Sequence, residues 1–273
     1  MRLCPVCAHP AAVNVGELEN TKYAPLERTH YDLLHCRECD IVYLSPLPTA
    51  RDLEILYIDE LQFDYHTEEQ IRAVVDFMTG RLRAVLERMG MAGRGRPLLE
   101  KAGLRKPRVD KLAVLEIGAG LAWMARAAKG IAPRARTVAQ DITPEAAEKC
   151  PWVDRYIVGA AEDARIDALG PFDVISLTHV IEHVPDPVAM LRRLRPITRG
   201  RIFITAPHRP VRWDGGIESW RAYSYNHVPG HLQYLSERGM RKAAEAAGFT
   251  LDFWDGTSED GQAFEAWLKP AQA

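Results

Sequence analysis

Two sets of side chains in this sequence are equipped for chemistry. The first is a pair of Cys-x-x-Cys units, Cys4-Pro-Val-Cys7 and Cys36-Arg-Glu-Cys39, separated by a loop of 28 residues. Each unit folds into a tight knuckle, and two knuckles close a tetrahedral thiolate site around zinc; this spacing is that of a zinc ribbon, not of a disulfide framework. Four thiolates leave the ion no open position, so its expected work is structural. About 45 residues cannot bury much core, and zinc binding supplies on the order of 10 kcal/mol of folding free energy. Cys150, ahead of Pro151, is left over and reads as a small buried apolar residue.

The second set is histidine-rich. His179-Val-Ile-Glu182-His183 and His227-Val-Pro-Gly-His231 bring four imidazoles and one carboxylate into two short segments, with His208 upstream of the second. The text His179-x-x-Glu182-His183 also fits a helix-borne metalloprotease pattern, but Pro185 and Pro187 break the helix that chemistry needs. His208 and His227 read as satisfied polar residues, whereas His183 and His231 are the candidates for a site.

The rest of the chain must position these groups. With 273 residues, there is room for one full core and a small accessory module. Lys+Arg 35 against Asp+Glu 37 gives a net charge of −2, which provides no field for nucleic acid or an anionic membrane and favours a small-molecule acceptor. No apolar run is long enough to span a membrane and MRLCPVCAHP lacks a signal peptide's apolar stretch, so the expected setting is cytoplasmic. The oligomeric state is not legible.

Three regions are expected: a zinc-binding module at 1–48, ending at the Pro-rich step Ser45-Pro-Leu-Pro48; a helical linker or lid at 49–110; and a main domain at 111–273. In the second, Ile71, Val74, Val75, Met78, Leu82, Val85, Leu86 and Met89 recur at helical spacing, with Tyr57, Phe63 and Tyr65 just before them. In the third, strand-like runs at Leu112–Ile117, Thr137–Gln140, Tyr156–Val158, Val174–Leu177 and Ile202–Thr205 alternate with helical stretches near 121–130, 143–149, 186–195 and 236–247. Such alternation predicts an α/β, doubly wound, seven-stranded, mostly parallel sheet with helices on both faces, finished by an antiparallel pair at Phe249–Trp254 and Phe264–Leu268.

Between the first strand and helix of that domain lies Val114-Leu-Glu116-Ile-Gly118-Ala119-Gly120-Leu-Ala122-Trp123. A dinucleotide turn, GxGxxG, wants its last glycine where Trp123 stands, which argues against NAD or FAD. The spacing acidic-x-Gly-x-Gly-x-small instead resembles the first motif of class I S-adenosylmethionine-dependent methyltransferases, with Ala122 where a third glycine is usual. The resemblance runs from about Lys111 to the C-terminus. It implies a Rossmann-like fold with S-adenosylmethionine against Glu116, Gly118, Ala119 and Gly120. Asp141, about twenty residues on, is where a carboxylate accepts bonds from both ribose hydroxyls, with Ile142 beside it. Gly159-Ala-Ala161-Glu162-Asp163 resembles the adenine loop, its usual aspartate replaced by Ala160, so the adenine contact moves to Ala161 and Glu162 or Asp163. Thr178 and His179 complete the donor set.

Phe172 to Pro187 resembles the fourth motif of the subfamily that includes ubiquinone O-methyltransferases and many sugar methyltransferases, and Asn226 to Ser236 its substrate-side loop. Methyl transfer from a sulfonium needs an aligned nucleophile and, for a hydroxyl, removal of its proton. The expected catalytic groups are His183 or His231 as base with Glu182 orienting it. Alternatively, Glu182, His183 and His231 hold a second divalent cation that lowers the acceptor's pKa. Trp213, Trp220, Tyr223 and Tyr225 suit a ring-shaped acceptor or burial against the sheet. The expected reaction is O-methylation of a sugar, polyketide or related metabolite. C-methylation of a deoxysugar nucleotide ranks behind it, because the enzymes that resemble this chain in that respect carry a large C-terminal domain. A non-catalytic zinc-containing binding protein with a decayed methyltransferase fold is the reading from another class, favoured by Ala122 and Ala160.

Overall fold

The structure, a computed structural model, describes residues 2–20, 26–60, 67–91, 111–210, 213–257 and 262–272. Two compact units form, one from residues 1–62, 179–195 and 204–273, the other from 63–178 and 196–203.

The strands expected in the main domain are present as β4 (Ala113–Ile117), β5 (Arg136–Asp141), β6 (Arg155–Val158), β7 (Phe172–Thr178) and β8 (Thr198–Pro207), followed by β10 (Phe249–Thr257) and β11 (Ala263–Pro270). They make one seven-stranded sheet in the order β10-β11-β8-β7-β4-β5-β6. The pairs β4–β5, β4–β7 and β5–β6 are parallel and β10–β11 is antiparallel. All five residues of β4 are buried, as a parallel strand covered on both faces must be, which is why it reads as an unbroken apolar run around Glu116. The order reverses at β4, since β5 and β6 lie to one side of it and β7 to the other. The carboxyl ends of β4 and β7 therefore flank the switch point at which open α/β sheets take their ligands.

In the unit that holds β4 to β7, helix α2 (Glu68–Arg88) opens with a reciprocal cap between Thr67 and Gln70 and buries Met78, Leu82, Val85 and Leu86, part of the face its spacing predicts. Helix α3 (Trp123–Ile131) follows the glycine turn and buries Met124, Ala125, Ala127 and Ala128, small residues that let it lie close to the sheet. The short helices α4 (Pro144–Glu148) and α5 (Ala164–Asp167) follow β5 and β6.

The other unit contains a second sheet. Strands β1 (Val13–Glu19), β2 (His30–Cys36) and β3 (Ile41–Ser45) form an antiparallel meander, and β9 (Gln233–Tyr234) adds to β3. The stretch between the cysteine pairs, expected as a loop, thus carries the β1–β2 hairpin strands. Its inward residues Leu18, Tyr31, Leu33, Val42 and Leu44 enclose Trp220, Val228 and Tyr234, with Trp213 and Tyr223 packed alongside. Trp220 is fully buried, so of the two roles open to that tryptophan the core takes it. Also in this unit are α1 (Ala50–Glu60), α6 (Pro187–Leu194), α7 (Ile217–Arg221) and α8 (Glu237–Ala246). Gly239 of α8 sits so close to the second knuckle that a Cβ there would lie 2.2 Å from Ile41 Cγ2 and 3.2 Å from the Cys39 carbonyl oxygen. The side chains of Tyr57, Phe63 and Tyr65 lie outside the described residues.

Candidate functional site

The glycine turn is held by backbone geometry and two buried acids. Gly118, Gly120 and Ala122 all have left-handed φ, 59°, 48° and 53°. Glycine adopts this region freely, whereas for alanine it costs about 1–2 kcal/mol. Ala122 is fully buried beside Ala119, Ala125, Ala139 and Cys150, so its methyl group is packed as well as strained. Glu116 accepts hydrogen bonds from the amides of Met124 and Ala125 at 3.2 and 3.0 Å, occupying orphan donors at the start of α3. Burial, helped by nearby Asp141, still pushes its carboxyl up to about 7 against those two bonds.

Asp141 ends β5 with one carboxylate oxygen accepting from Gly120 N at 2.7 Å and the other from Thr143 N at 3.0 Å. It therefore ties the turn to the second strand, and Thr143 precedes α4 without a side-chain cap of its own. Ile142, next in sequence, leaves 43% of its surface exposed, unusual for so apolar a side chain. Ala119 N donates to Gln140 O at 2.9 Å, which completes the lacing of the turn. In the loop after β6, Ala161 is half-buried and Glu162 exposed. Asp163 caps α5 through Arg165 N and pairs with the Arg165 guanidinium at 2.6 Å, so its carboxylate is already engaged. Thr178, half-buried at the end of β7, lies 3.1 Å from Ser176 through its hydroxyl.

Trp123 does not fill the turn. Its indole stacks on Trp152 at 6.2 Å between ring centroids, with the Arg126 guanidinium 4.6 Å from the Trp152 ring. Trp152 in turn donates to the Ala122 carbonyl at 3.0 Å and Tyr156 OH to that of Gly120 at 2.7 Å. These two props, and Gln140, which meets Gly118 N through its side chain, were not singled out from the sequence. Their only signal was a polar or aromatic residue at a strand end.

In the other unit, the turn from His179 to His183 meets the segment ending at His231. His179 follows β7 with φ 52°, left-handed for a non-glycine residue, and its amide donates to Thr205 O at 2.9 Å. No helix forms over 179–183, which disposes of the metalloprotease geometry. Glu182 is completely buried, yet neither carboxylate oxygen has a hydrogen bond of good geometry. The nearest ring nitrogens are His179 Nδ1 at 3.3 Å and His183 Nε2 at 3.9 Å. Burial raises the carboxyl's pKa, and the rings of His179, His183 and His231 outweigh that and hold it below the ordinary range.

The two candidate histidines share one arrangement. His183 Nδ1 lies 2.9 Å from Gly230 O and His231 Nδ1 lies 3.2 Å from Tyr225 O. A carbonyl only accepts, so each ring carries its proton on Nδ1 and leaves Nε2 as a lone pair when neutral. Burial pushes His231 down to about 3, against the pull of Glu182, so it is neutral throughout the physiological range. The rings stand 5.0 Å apart, and one ligand atom each from Glu182, His183 and His231 falls within 4.8 Å of the others. A backbone carbonyl behind each imidazole is the support that metal-ligating histidines have. His208 lies against two backbone carbonyls, Arg209 O at 2.5 Å from Nδ1 and Gly256 O at 3.0 Å from Nε2.

The four cysteines converge. One sulfur from each of Cys4, Cys7, Cys36 and Cys39 lies within 4.8 Å of the others, and Cys7 and Cys36 approach to 3.8 Å, unlinked. Tetrahedral thiolates at the ordinary zinc–sulfur distance of about 2.3 Å are separated by about 3.8 Å. Each knuckle closes the same way: Ala8 N donates to Cys4 O at 2.9 Å and Asp40 N to Cys36 O at 2.7 Å, with Ala8 and Asp40 both left-handed at φ 55°. Burial pushes the Cys4 thiol up to about 12 and Cys39 higher, and a bound cation would favour their thiolate forms. The set fits zinc.

The chain matches the methyltransferase domain family over residues 66–252. Among curated proteins, a ubiquinone biosynthesis O-methyltransferase from Xanthomonas axonopodis pv. citri (strain 306) is 29% identical over 121 residues, 41% of this chain and 46% of that protein. The chain therefore aligns with about half the length of that relative. Among solved structures, magnesium protoporphyrin IX methyltransferase from Synechocystis PCC 6803 with bound SAH superposes with a TM-score of 0.51 at 14% identity, covering 79% of this chain and 93% of the other. No described helix is long and apolar enough to cross a membrane. With a family match over more than half its length and the expected seven-stranded sheet, this chain belongs to the methyltransferase domain family and has its class I, S-adenosylmethionine-dependent fold.

Proposed function

We propose that the protein transfers a methyl group from S-adenosylmethionine to a hydroxyl of a small-molecule acceptor, a sugar, polyketide or related metabolite. Support on the donor side comes from the left-handed turn at 118–122, the buried Asp141 beside it and the exposed apolar Ile142. The residues that would hold the donor are Glu116, Gly118, Ala119, Gly120, Asp141, Ile142, Ala161, Glu162, Thr178 and His179. S-adenosylmethionine, when bound, supplies an electrophilic methyl whose sulfur departs as a neutral thioether, so no acid is needed for the leaving group. What the chain must add is alignment and a route for the acceptor's proton.

The observation that carries the acceptor side is Glu182, a carboxylate with no exposure and no hydrogen bond of good geometry, whose oxygen converges with one ring nitrogen each of His183 and His231 to within 4.8 Å. A buried carboxylate without a well-formed hydrogen bond costs several kcal/mol, and a cation is a partner its surroundings suit. Glu182, His183 and His231 would hold a divalent ion, which when bound lowers the pKa of a hydroxyl that it touches. Without the ion, His183 would be the group that takes the acceptor proton, since His231 is too weak a base for it. The four-cysteine zinc site is structural in either case, and reduced thiols fit a cytoplasmic setting.

The test is to supply methyl-labelled donor with hydroxylated sugars and polyketides, before and after chelation that leaves the cysteine-bound zinc in place. Label on the acceptor oxygen, lost on chelation and restored by Mg²⁺ or Mn²⁺, is the expected result. Transfer indifferent to chelation would remove the cation and leave the base. A wild-type chain that takes up no S-adenosylmethionine at millimolar concentration would overturn the enzyme reading and leave a binding protein.

A further inference from the structure

The histidine–carboxylate turn is tied to the four-cysteine sheet by two side chains with no chemistry of their own, Arg2 and, within the Asn226–Ser236 segment, Gln233. Gln233, fully buried on β9, donates through Nε2 to Ile181 O at 2.7 Å and to Val184 O at 2.6 Å, the carbonyls on either side of Glu182 and His183. Both of its amide hydrogens are thereby used, and its Oε1 accepts from Arg2 Nη2 at 3.3 Å. Arg2, two residues before Cys4, also donates to Pro185 O at 2.5 Å and, through Nη1, to Leu44 O and Leu232 O at 3.4 and 3.5 Å. Its backbone is fixed in turn by Ser45 Oγ at 2.9 Å and Tyr43 OH at 3.3 Å, both on β3.

The backbone runs in parallel with these bonds. Leu232 N donates to Glu182 O at 2.8 Å, and Leu44 N to Leu232 O at 3.0 Å. β9 pairs with β3 through Val42–Tyr234 and Tyr43–Gln233. One continuous set of hydrogen bonds thus leads from the strand beside Cys36 and Cys39, through Gln233 and Arg2, to the turn that carries Glu182 and His183. His231 stands two residues before Gln233. Loops carrying buried charge need such external supports, since nothing in a turn's own backbone fixes where its side chains point.

We propose that Gln233 and Arg2 are positioning residues that clamp the 180–185 turn and the His231 segment to the cysteine sheet, so that the zinc module holds the Glu182–His183–His231 cluster in its assembled form. The functional meaning of this clamp rests on the role proposed above for those three residues; the clamp itself is read independently of activity. Neither residue touches the reacting groups. Replacing Gln233 by methionine keeps the length of the side chain and removes both donors. Arg2→Ala removes the second tier only.

The experiment records long-range ¹H–¹⁵N spectra of the histidine rings in the full-length zinc-loaded chain, for wild type, Gln233→Met, Arg2→Ala and Arg2→Lys. The expected outcome is that His183 and His231 lose their Nδ1-protonated signature or broaden in Gln233→Met, and more weakly in Arg2→Ala, with partial return in Arg2→Lys. Zinc content and donor affinity should stay within twofold of wild type, and kcat should fall at least tenfold. If Gln233→Met does not fold, the Arg2 pair carries the same comparison. Ring signals that superimpose on wild type in every folded variant overturn the clamp. A wild type with the expected ring signals but no methyl transfer counts against the proposed function and leaves the clamp standing.

Discussion

The glycine turn and the histidine cluster are built on opposite plans. The turn is backbone, laced together by residues close in sequence: Glu116 reaches α3 eight residues on, and Asp141 and Gln140 sit one strand away. The cluster is side chains, and its supports come from Arg2, Gln233 and the strand after Cys36. A site made of backbone tolerates changes that keep φ and ψ. A site made of side chains held from afar tolerates little at its supports, and the zinc sheet is one of them. The plans predict different damage.

The largest effect is expected at the cysteines. Cys36→Ser should reduce bound zinc from one per chain to none and remove metal-linked stability on the order of 10 kcal/mol, read by metal analysis and denaturant melts. If the two plans are separate, S-adenosylmethionine affinity in whatever folded chain survives should change far less than turnover. Glu182→Gln and His231→Ala come next. Each should slow turnover by about 10²-fold or more while donor affinity measured by calorimetry stays within threefold. Equal losses in donor binding and turnover would break the division.

A smaller effect separates the two carboxylates by pH. Glu116 titrates at about 7 in the fold against 4.5 for a free glutamate. Its protonated form therefore favours folding. That contribution is complete below pH 4.5 and disappears as pH rises to 7, amounting to about 3 kcal/mol. Urea unfolding of wild type should show this decline between pH 4.5 and 7, and Glu116→Gln, which cannot ionise, should flatten it. Glu182 is shifted the other way by its histidines, so it adds no such decline.

The difference in plan also explains what was legible. Strands β4 to β8 and helices α3, α4 and α6 could be read because each is a local run with its own period, and the turn because its glycines are two residues apart, whereas α5, four residues long, shows no period. The hairpin β1–β2 was hidden: Val13-Asn-Val-Gly-Glu-Leu-Glu alternates only loosely, and most of it is exposed. β9 is two residues long, too short to show a period. Cys4, Cys7, Cys36 and Cys39 announced themselves by spacing, and so did Glu182 and His183. Gln233 and Arg2 did not, because a residue that works by bonding distant carbonyls leaves no pattern in its own neighbourhood. Trp213 and Trp220 were open between core and ligand until the hairpin supplied a core for them to fill.

The finest test of the backbone plan is Ala122. As a left-handed alanine it carries strain of about 1–2 kcal/mol that glycine would relieve. Ala122→Gly also frees the unfolded chain, at about 0.4–1 kcal/mol, and removes a fully buried methyl worth about 0.8 kcal/mol. These terms nearly cancel, so the substitution should move unfolding free energy by less than about 1 kcal/mol and donor affinity by less than threefold. Ala122→Val keeps the buried side and worsens the backbone, since a β-branched residue is a poor fit to positive φ in a fully packed site, and it should cost at least 2 kcal/mol. If glycine stabilised the chain by several kcal/mol, the methyl would be doing nothing for the packing beside Ala119, Ala139 and Cys150. If valine were harmless, the left-handed geometry at this position would not be what holds the turn.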